Sequence, residues 1–428
     1  MIVLVTRDWG GLGLALLMQR QGSDVVCAYD YGSKAGTELA QTERIGDGLV
    51  AKMPLETARG KFRKSGALWA FDDNSLPREA EQLRAEGEDV IGTSALAARL
   101  EDDRHFAMEA AQSLGFDLPE SEQFTDYDAG IAYLDAHPEQ AFAYKPDKQD
   151  PTMTYVPLSH DDPAEANQEL HEYLHSLERA SSPKFVLQEV VQGVEANFEL
   201  WLADGKPLLG LCDLEAKRKL VGDLGENIGC AGDYLFTVPM DAAVMDETVG
   251  RYLKWPQLQG YTGSVDANVI FGDGKTYFLE NCMRFGYNAY PTIFQDLALL
   301  PMETLLRRWV AGEDCAETMA GGCAASLSLT TSDPKLGTPI IVPKDLEDHA
   351  YHYRAYKDET GLHMVERWPE ILCVTGYGHT PEEAGTVCLD RAEQVSFPNK
   401  GYRTDLAGTD GERLPLARYQ MLQQMGWL

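Results

Sequence analysis

Four polar side chains at alternate positions of one hairpin carry the clearest chemistry in this sequence. Ser264–Phe271, the turn Gly272-Asp273-Gly274 and Thr276–Cys282 read as two antiparallel strands, and a side-chain period of two puts Asp266, Asn268, Glu280 and Cys282 on one face. Hard oxygen ligands converging on one point suit Mg²⁺, which takes one or two carboxylates together with phosphate oxygens. Arg284, two residues beyond Cys282, is placed to meet a transferring phosphate. The hairpin alone describes a solvated face equally well.

Two further pieces of a nucleotide site stand upstream. Ala141–Lys145 is apolar until its last residue and is followed by Pro146, so a strand ends there and delivers Lys145 as a cation for phosphate. Glu189 and Glu195 flank Gln192-Gly193 and offer acceptors for ribose and adenine. Singly, such residues are more often surface than site. Their weight comes from their order in the chain.

The elements that must position them follow from apolar runs and turn residues. Strands at 2–6, 24–29, 68–71 and 89–92, with helices through Arg20 and from Leu76 to Glu86, predict a small parallel α/β unit over residues 1–100. A charged helix is expected from Leu100 to about Leu114, another from Pro163 to Arg179, and a third around 301–311. Strands are expected at 185–190, 198–203, 264–271 and 276–282. Gly321-Gly322-Cys323-Ala324 opens a third unit of mixed strands and helices through Leu428.

Composition narrows the partners. At 428 residues and 44% hydrophobic the chain is long enough for two to four packed units. Lys and Arg number 37 against 68 Asp and Glu, a formal charge of −31 that repels nucleic acid and anionic membranes as bulk partners. A compact phosphate ligand needs only a few local cations and is not excluded. The eight cysteines form no C-x-x-C pair, which fits reduced thiols and a cytoplasmic location. Neither a signal peptide nor an apolar run of about 18 residues is present, so no membrane span is expected.

In this order the motifs resemble the ATP-grasp enzymes, and among them the glycinamide ribonucleotide synthetases, over nearly the whole chain. Asp102-Asp103-Arg104-His105-Phe106 is similar to the segment bearing the first nucleotide cation, here Arg104, and Lys145 matches the second. Gln188-Glu189-Val190-Val191-Gln192-Gly193-Val194-Glu195 resembles the strand and turn that hold adenine by backbone, at Glu189 and Val190, and ribose by the last glutamate, Glu195. Lys217-Arg218 through Asp223, Asn227, Gly229, Gly232 and Tyr234 resembles a substrate-contacting loop. Leu279–Gly286 resembles the metal strand, and Val395–Asp405 the closing motif.

The resemblance implies an N-terminal parallel α/β domain (1–100), a central ATP-grasp fold (101–320) with a mobile lid at about 120–190, and a C-terminal α+β domain (321–428). It implies ATP and Mg²⁺ as cofactors, Glu280 with Asn268 and Asp266 as metal ligands, and Arg284, Lys217 and Asn227 as catalytic residues. Arg218, Asp223, Gly229 and Tyr287 fall on the substrate side. The implied reaction joins a small carboxylate, such as glycine or another amino acid, to an amine through an acyl phosphate, in a monomer or homodimer. The alternatives are phosphoribosylamine–glycine ligation itself and a nucleotide-binding protein without catalysis.

Four segments depart from the pattern. Gly10-Gly11-Leu12-Gly13-Leu14-Ala15 stands for Gly-Gly-Arg-Glu-His-Ala, Tyr287-Asn288-Ala289 for Asp-Pro-Glu, and Cys282 for the metal-ligating Asn. Asp147–Thr154 replaces a glycine-rich lid. Three other matches are set aside: His171-Glu172-Tyr173-Leu174-His175 as a zinc helix, Gly10–Gly13 as a dinucleotide fingerprint and Gly274-Lys275-Thr276 as the end of a P-loop, which read as a solvated helix face, a tight turn and a hairpin turn.

Overall fold

A strand covered on both faces must be apolar along its whole length, and Ile2-Val3-Leu4-Val5-Thr6 is buried throughout. The computed structural model, which describes residues 1–146, 154–177, 183–365, 368–409, 411 and 413–428, makes this segment the centre of a five-stranded parallel sheet. The sheet comprises β1 (Ile2–Thr6), β2 (Val25–Tyr29), β3 (Lys52–Pro54), β4 (Leu68–Phe71) and β5 (Asp89–Ile91) in the order β3-β2-β1-β4-β5. Strand order reverses between β1 and β4. The carboxyl ends of those two strands are where open α/β sheets bind ligands.

The expected single helix from Leu100 is two helices, Ala95–Asp102 and Arg104–Ser113. Asp103 breaks it: its side chain accepts the Phe106 N–H at 3.0 Å and so caps the second helix, which starts on Arg104. Beyond it, β6 (Ser121–Phe124), β7 (Phe142–Pro146) and β8 (Phe185–Glu189) form a three-stranded antiparallel sheet in the order β6-β8-β7. Helices Tyr127–Ala136 and Pro163–Ser176 cover it through Leu134, Leu170 and Leu174, packed on Phe142, Phe185 and Leu187. Residues 147–153 of the expected lid, and 178–179 of the expected helix, lie outside the described residues.

The third sheet dominates the molecule. β9 (Val194–Ala203), β10 (Lys206–Leu220), β11 (Leu224–Thr237), β12 (Gly263–Gly272) and β13 (Lys275–Glu280) continue through β14 (Cys323–Thr331), β15 (Ala350–His352) and, beyond the separate hairpin β16 (Ala355–Asp358) and β17 (Gly361–Met364), β18 (Glu370–Gly378). The order is β13-β12-β9-β10-β11-β14-β18-β15, with β19 (Lys400–Gly401) on β14. Strand pairing therefore runs across residue 320, since β11 and β14 are neighbours. The segment Lys217–Tyr234, expected as a loop, is mostly the paired ends of β10 and β11 around a turn at 221–223, where Gly222 and Asp223 adopt φ of 73° and 58°. All eight cysteines are free thiols, and among the described residues no helix is long and apolar enough to cross a membrane.

Candidate active site

One cleft of ≈ 1130 Å³ opens between the carboxyl ends of β1 and β4, the three-stranded sheet and one face of the large sheet. It is lined by Arg104, Lys145, Glu189, Val190, Glu195, Lys217, Arg218, Asp223, Asn227, Gly229, Asp266, Glu280, Arg284 and Tyr287. Of the sequence candidates, Asn268 alone is not on that lining. It is 2% exposed and donates through Nδ2 to Glu195 Oε1 at 3.1 Å.

The floor follows from the period of two. Glu195, Asn197 and Glu199 on β9 share a face with Asp213, Glu215 and Lys217 on β10, because Asp213 pairs with Asn197 and Asn197 Nδ2 donates to Glu215 Oε2 at 2.8 Å. On the other side Asn268 pairs with both Asn197 and Glu280, and Asp266 with Glu199. Lys217 Nζ sits 2.8 Å from Glu195 and 3.4 Å from Glu280, and its carboxylate neighbours raise its pKa well above the lysine range against desolvation. Despite desolvation, Lys217 and then Arg418 hold Glu195 down at about 2. Glu280 is likewise lowered, desolvation being outweighed by Lys217, Lys145 and Arg104. Lys145 moves the other way: burial, then Arg104, bring it down to about 7.

Glu199, Asp213, Glu215, Arg413 and Arg418 were missed by sequence reasoning. The acids were legible as alternation, Glu195-x-Asn197-x-Glu199 and Asp213-x-Glu215-x-Lys217, once both strands are read at their full length. The arginines had no local signal, because Arg418 reaches the floor from the C-terminal helix Pro415–Gln424, with Nη2 3.7 Å from Glu195.

The donor set was tested for Mg²⁺ on buried oxygen atoms. Asn268 Oδ1 and Asp266 Oδ1 are buried without a hydrogen-bond partner, on the strand next to Glu280. The Cys282 thiol is pushed well above its ordinary range by burial, so it offers no thiolate. Glu280, backed by these oxygens, fits a hard cation whose other ligands are phosphate and water. Burial followed by Glu199, Glu215 and Glu280 raises the Asp266 carboxyl well above the usual range, which favours Glu280 as the charged ligand. Among the described residues no group of three or more His, Cys, Asp or Glu is arranged to hold a metal, the His171–His175 pair included.

Other candidates have structural tasks. Asp223 Oδ1 lies 3.0 Å from Arg403 Nη1, a guanidinium 1% exposed that also meets Asp405 at 2.8 Å, so it ties the β10–β11 turn to the C-terminal region. Arg218 donates to Gly225 O at 3.2 Å and to Val156 O, bracing the same turn. Asn227 Oδ1 accepts from the Gly229 N–H at 2.9 Å, and the Val190 N–H is used by Ala141 O at 2.8 Å. Arg284 Nε is 3.0 Å from Glu101 Oε1 and its guanidinium lies 4.8 Å from the centre of the Tyr287 ring. Tyr287 in turn covers Gly10, where an added Cβ would lie 2.0 Å from its Cε1.

Comparison with known proteins places this architecture. No family model matches the chain. It is 25% identical over 342 residues to the phosphoribosylamine–glycine ligase of Rhizobium meliloti, covering 76% of this chain and 78% of that protein. It is 23% identical over 340 residues to a bifunctional purine biosynthetic protein of Pichia angusta, spanning 74% of this chain but 42% of that longer protein. Among solved structures, phosphoribosylamine–glycine ligase of Thermotoga maritima superposes with a TM-score of 0.68 at 18% identity, over 94% of this chain and 99% of that one. The biotin carboxylase domain of Hydrogenobacter thermophilus 2-oxoglutarate carboxylase, solved with MgADP and bicarbonate, gives 0.62 at 14%, over 99% and 98%. The fold is that of ATP-grasp enzymes, and the sequence is similar to that of phosphoribosylamine–glycine ligases.

Proposed function

We propose that this ATP-grasp chain is an ADP-forming ligase that uses ATP and Mg²⁺ to join a small carboxylate to an amine. The observation that carries the reading is the charge arrangement around Glu280: one carboxylate held ionised by Lys217, Lys145 and Arg104 on the lining of the cleft. Transfer of a phosphoryl group to a carboxylate brings two anions together, and these cations offset their repulsion. Mg²⁺ bound at Glu280, with Asp266 and Asn268 behind it, would supply further charge neutralisation to the phosphates. Lys145 and Arg104 bind the phosphate chain, and Glu189, Val190 and Glu195 stand along the nucleotide. Lys217 holds Glu280 and Glu195 in place; Arg284, steadied by Glu101, orients the acyl group.

In the second half-reaction the amine nitrogen attacks the acyl carbon, a C–N bond forms, the C–O bond to phosphate breaks, and the nitrogen proton passes to solvent. Glycine or another amino acid is the carboxylate this reading favours. Phosphoribosylamine–glycine ligation, the activity named for the relatives, is the second reading, supported by their sequence similarity. The test is ADP release with each amino acid in the presence of hydroxylamine, which traps an acyl phosphate as a hydroxamate without the natural amine. Hydroxamate formation that needs ATP, Mg²⁺ and Glu280 supports ligase chemistry. ATP binding with no ADP release for any carboxylate would leave a binding protein instead.

A further inference from the structure

One end of the cleft lies at the carboxyl ends of β1 and β4, where the turn after β1 leads into the helix Leu12–Arg20. The first amides of such a helix are a natural seat for a phosphate. In this chain the seat is filled from within. Asp72 Oδ2 accepts the Gly11 N–H at 2.7 Å, so a carboxyl of the protein takes the position of an anionic ligand. The Tyr287 ring closes the other side, against Gly10. The same wall carries Asp73, Asn74, Glu101 and Asp102.

Several charges at this end are paired. Asp8 is matched by Lys34 at 2.5 Å, Glu101 by Arg284 at 3.0 Å, and Arg354, whose guanidinium stands 4.8 Å from the centre of the Trp368 ring, has Glu370 in its field. Asp73 Oδ1 accepts from the Ser75 N–H at 2.7 Å and from the Ser75 hydroxyl, and Asp102, raised by burial and then by Glu101 and Asp73, feels Arg284 only as a partial counterweight, so among the described residues neither carboxyl has a cation of its own within ion-pair distance. Asn74 adds an independent sign of a missing donor. It is 7% exposed and its Nδ2 donates to Glu101 Oε2 at 2.7 Å, which fixes the amide orientation. Its Oδ1, on the cleft wall, is buried with no partner. A buried carbonyl oxygen without a donor is costly, and at a cleft wall the donor can come from what the cleft binds.

We propose that the acceptor is an amine that carries no phosphate and bears a second, cationic nitrogen, as in an aliphatic diamine, held by Asn74, Asp73 and Asp102 beneath Tyr287. This rests on the ligase reading above and narrows its substrate. One nitrogen stays protonated against the carboxylates and donates to Asn74 Oδ1. The other, neutral when it attacks, forms the amide bond. A phosphorylated sugar amine has no place here, because the helix terminus that would take its phosphate is occupied by Asp72 and screened by Tyr287.

Calorimetric titration of the full chain at 0.15 M salt with 1,4-diaminobutane, O-phosphoethanolamine and ribose 5-phosphate tests this. The expected result is diamine binding that falls at least tenfold in Asp73→Asn/Asp102→Asn, with neither phosphorylated compound competing. Tighter binding of either phosphorylated compound, no diamine binding, or an affinity indifferent to the paired substitution would overturn it. Diamine binding that meets these criteria, without hydroxamate or ADP from any carboxylate, would uphold the site while removing the ligase reading.

Discussion

Lys145 offers the sharpest test of the nucleotide site, because its charge is set by its surroundings. Burial and then Arg104 bring its ammonium down to about 7, against the opposing pull of Glu280 and Glu195. Below pH 7 the free enzyme carries Lys145 charged; above it, neutral. ATP phosphates select the charged form and raise its pKa again on binding. If only the charged form binds, affinity is nearly full at pH 6 and falls by about tenfold per unit above 7, so about a hundredfold, or ~2.7 kcal/mol, is lost by pH 9. Titration of the Mg²⁺-free protein with ATP by calorimetry from pH 6 to 9 measures this. Lys145→Arg keeps the charge throughout and should flatten the profile. A flat wild-type profile, or an arginine variant with the same slope, would refute the assignment of Lys145 to the phosphates.

Other expectations follow from the same geometry. Glu280→Gln should lower ADP release by two orders of magnitude or more while leaving Mg²⁺-free ATP binding within a few fold; retained turnover would reject the metal role. Cys282→Asn should preserve or improve the Mg²⁺ response if that position is a drifted ligand site, and a loss of turnover would give the thiol a substrate role. Gly10→Ala drives a methyl into the Tyr287 ring and should cost about 1–3 kcal/mol by urea unfolding, with Tyr287→Ala relieving it; additive losses in the double variant would deny the contact. Arg403→Ala removes the buried cation shared by Asp223 and Asp405, leaving Asp223 only the 3.9 Å contacts of Arg218 and Arg413, and should cost about 3 kcal/mol, seen as a fall in urea midpoint. Glu199 is raised to about 7 by burial against hydrogen bonds from Tyr290 and Trp201, so its contribution to stability is full below about 4.5 and is lost as pH rises through 7. Glu199→Gln should flatten that decline between pH 5 and 8.

Much of this was legible in the sequence because the relevant signals are local. The runs Ile2–Val5 and Leu68–Phe71 are apolar throughout, and both lie in buried parallel strands with the expected bounds, the first closed by Thr6. That Glu280 and Asp266 would share one face followed from alternation, and both line the cleft. Asn268 was expected on that face by the same rule, yet its amide turns to Glu195, a contact set by β9, 73 residues earlier in the chain. The break at Asp103 was hidden because a capping aspartate inside a charged helical stretch looks like one more charged residue. Arg403 illustrates the larger gap. A closing-motif arginine gives no hint that it will be buried against Asp223, 180 residues away, and so tie a cleft-lining residue to the C-terminal region.

The large sheet has a consequence for how the protein can be taken apart. β14 is hydrogen-bonded to β11 on one side and β18 on the other, so the region after residue 320 completes a plate begun before it. A fragment ending near 320 would bare the edge of β11, and an exposed edge of that kind recruits other chains. Such a fragment is expected to aggregate when expressed alone, and exchange of the last hundred residues between relatives would graft onto a torn seam. Variants that test the proposed acceptor wall around Gly10, Asn74 and Tyr287 are therefore best made within the intact chain.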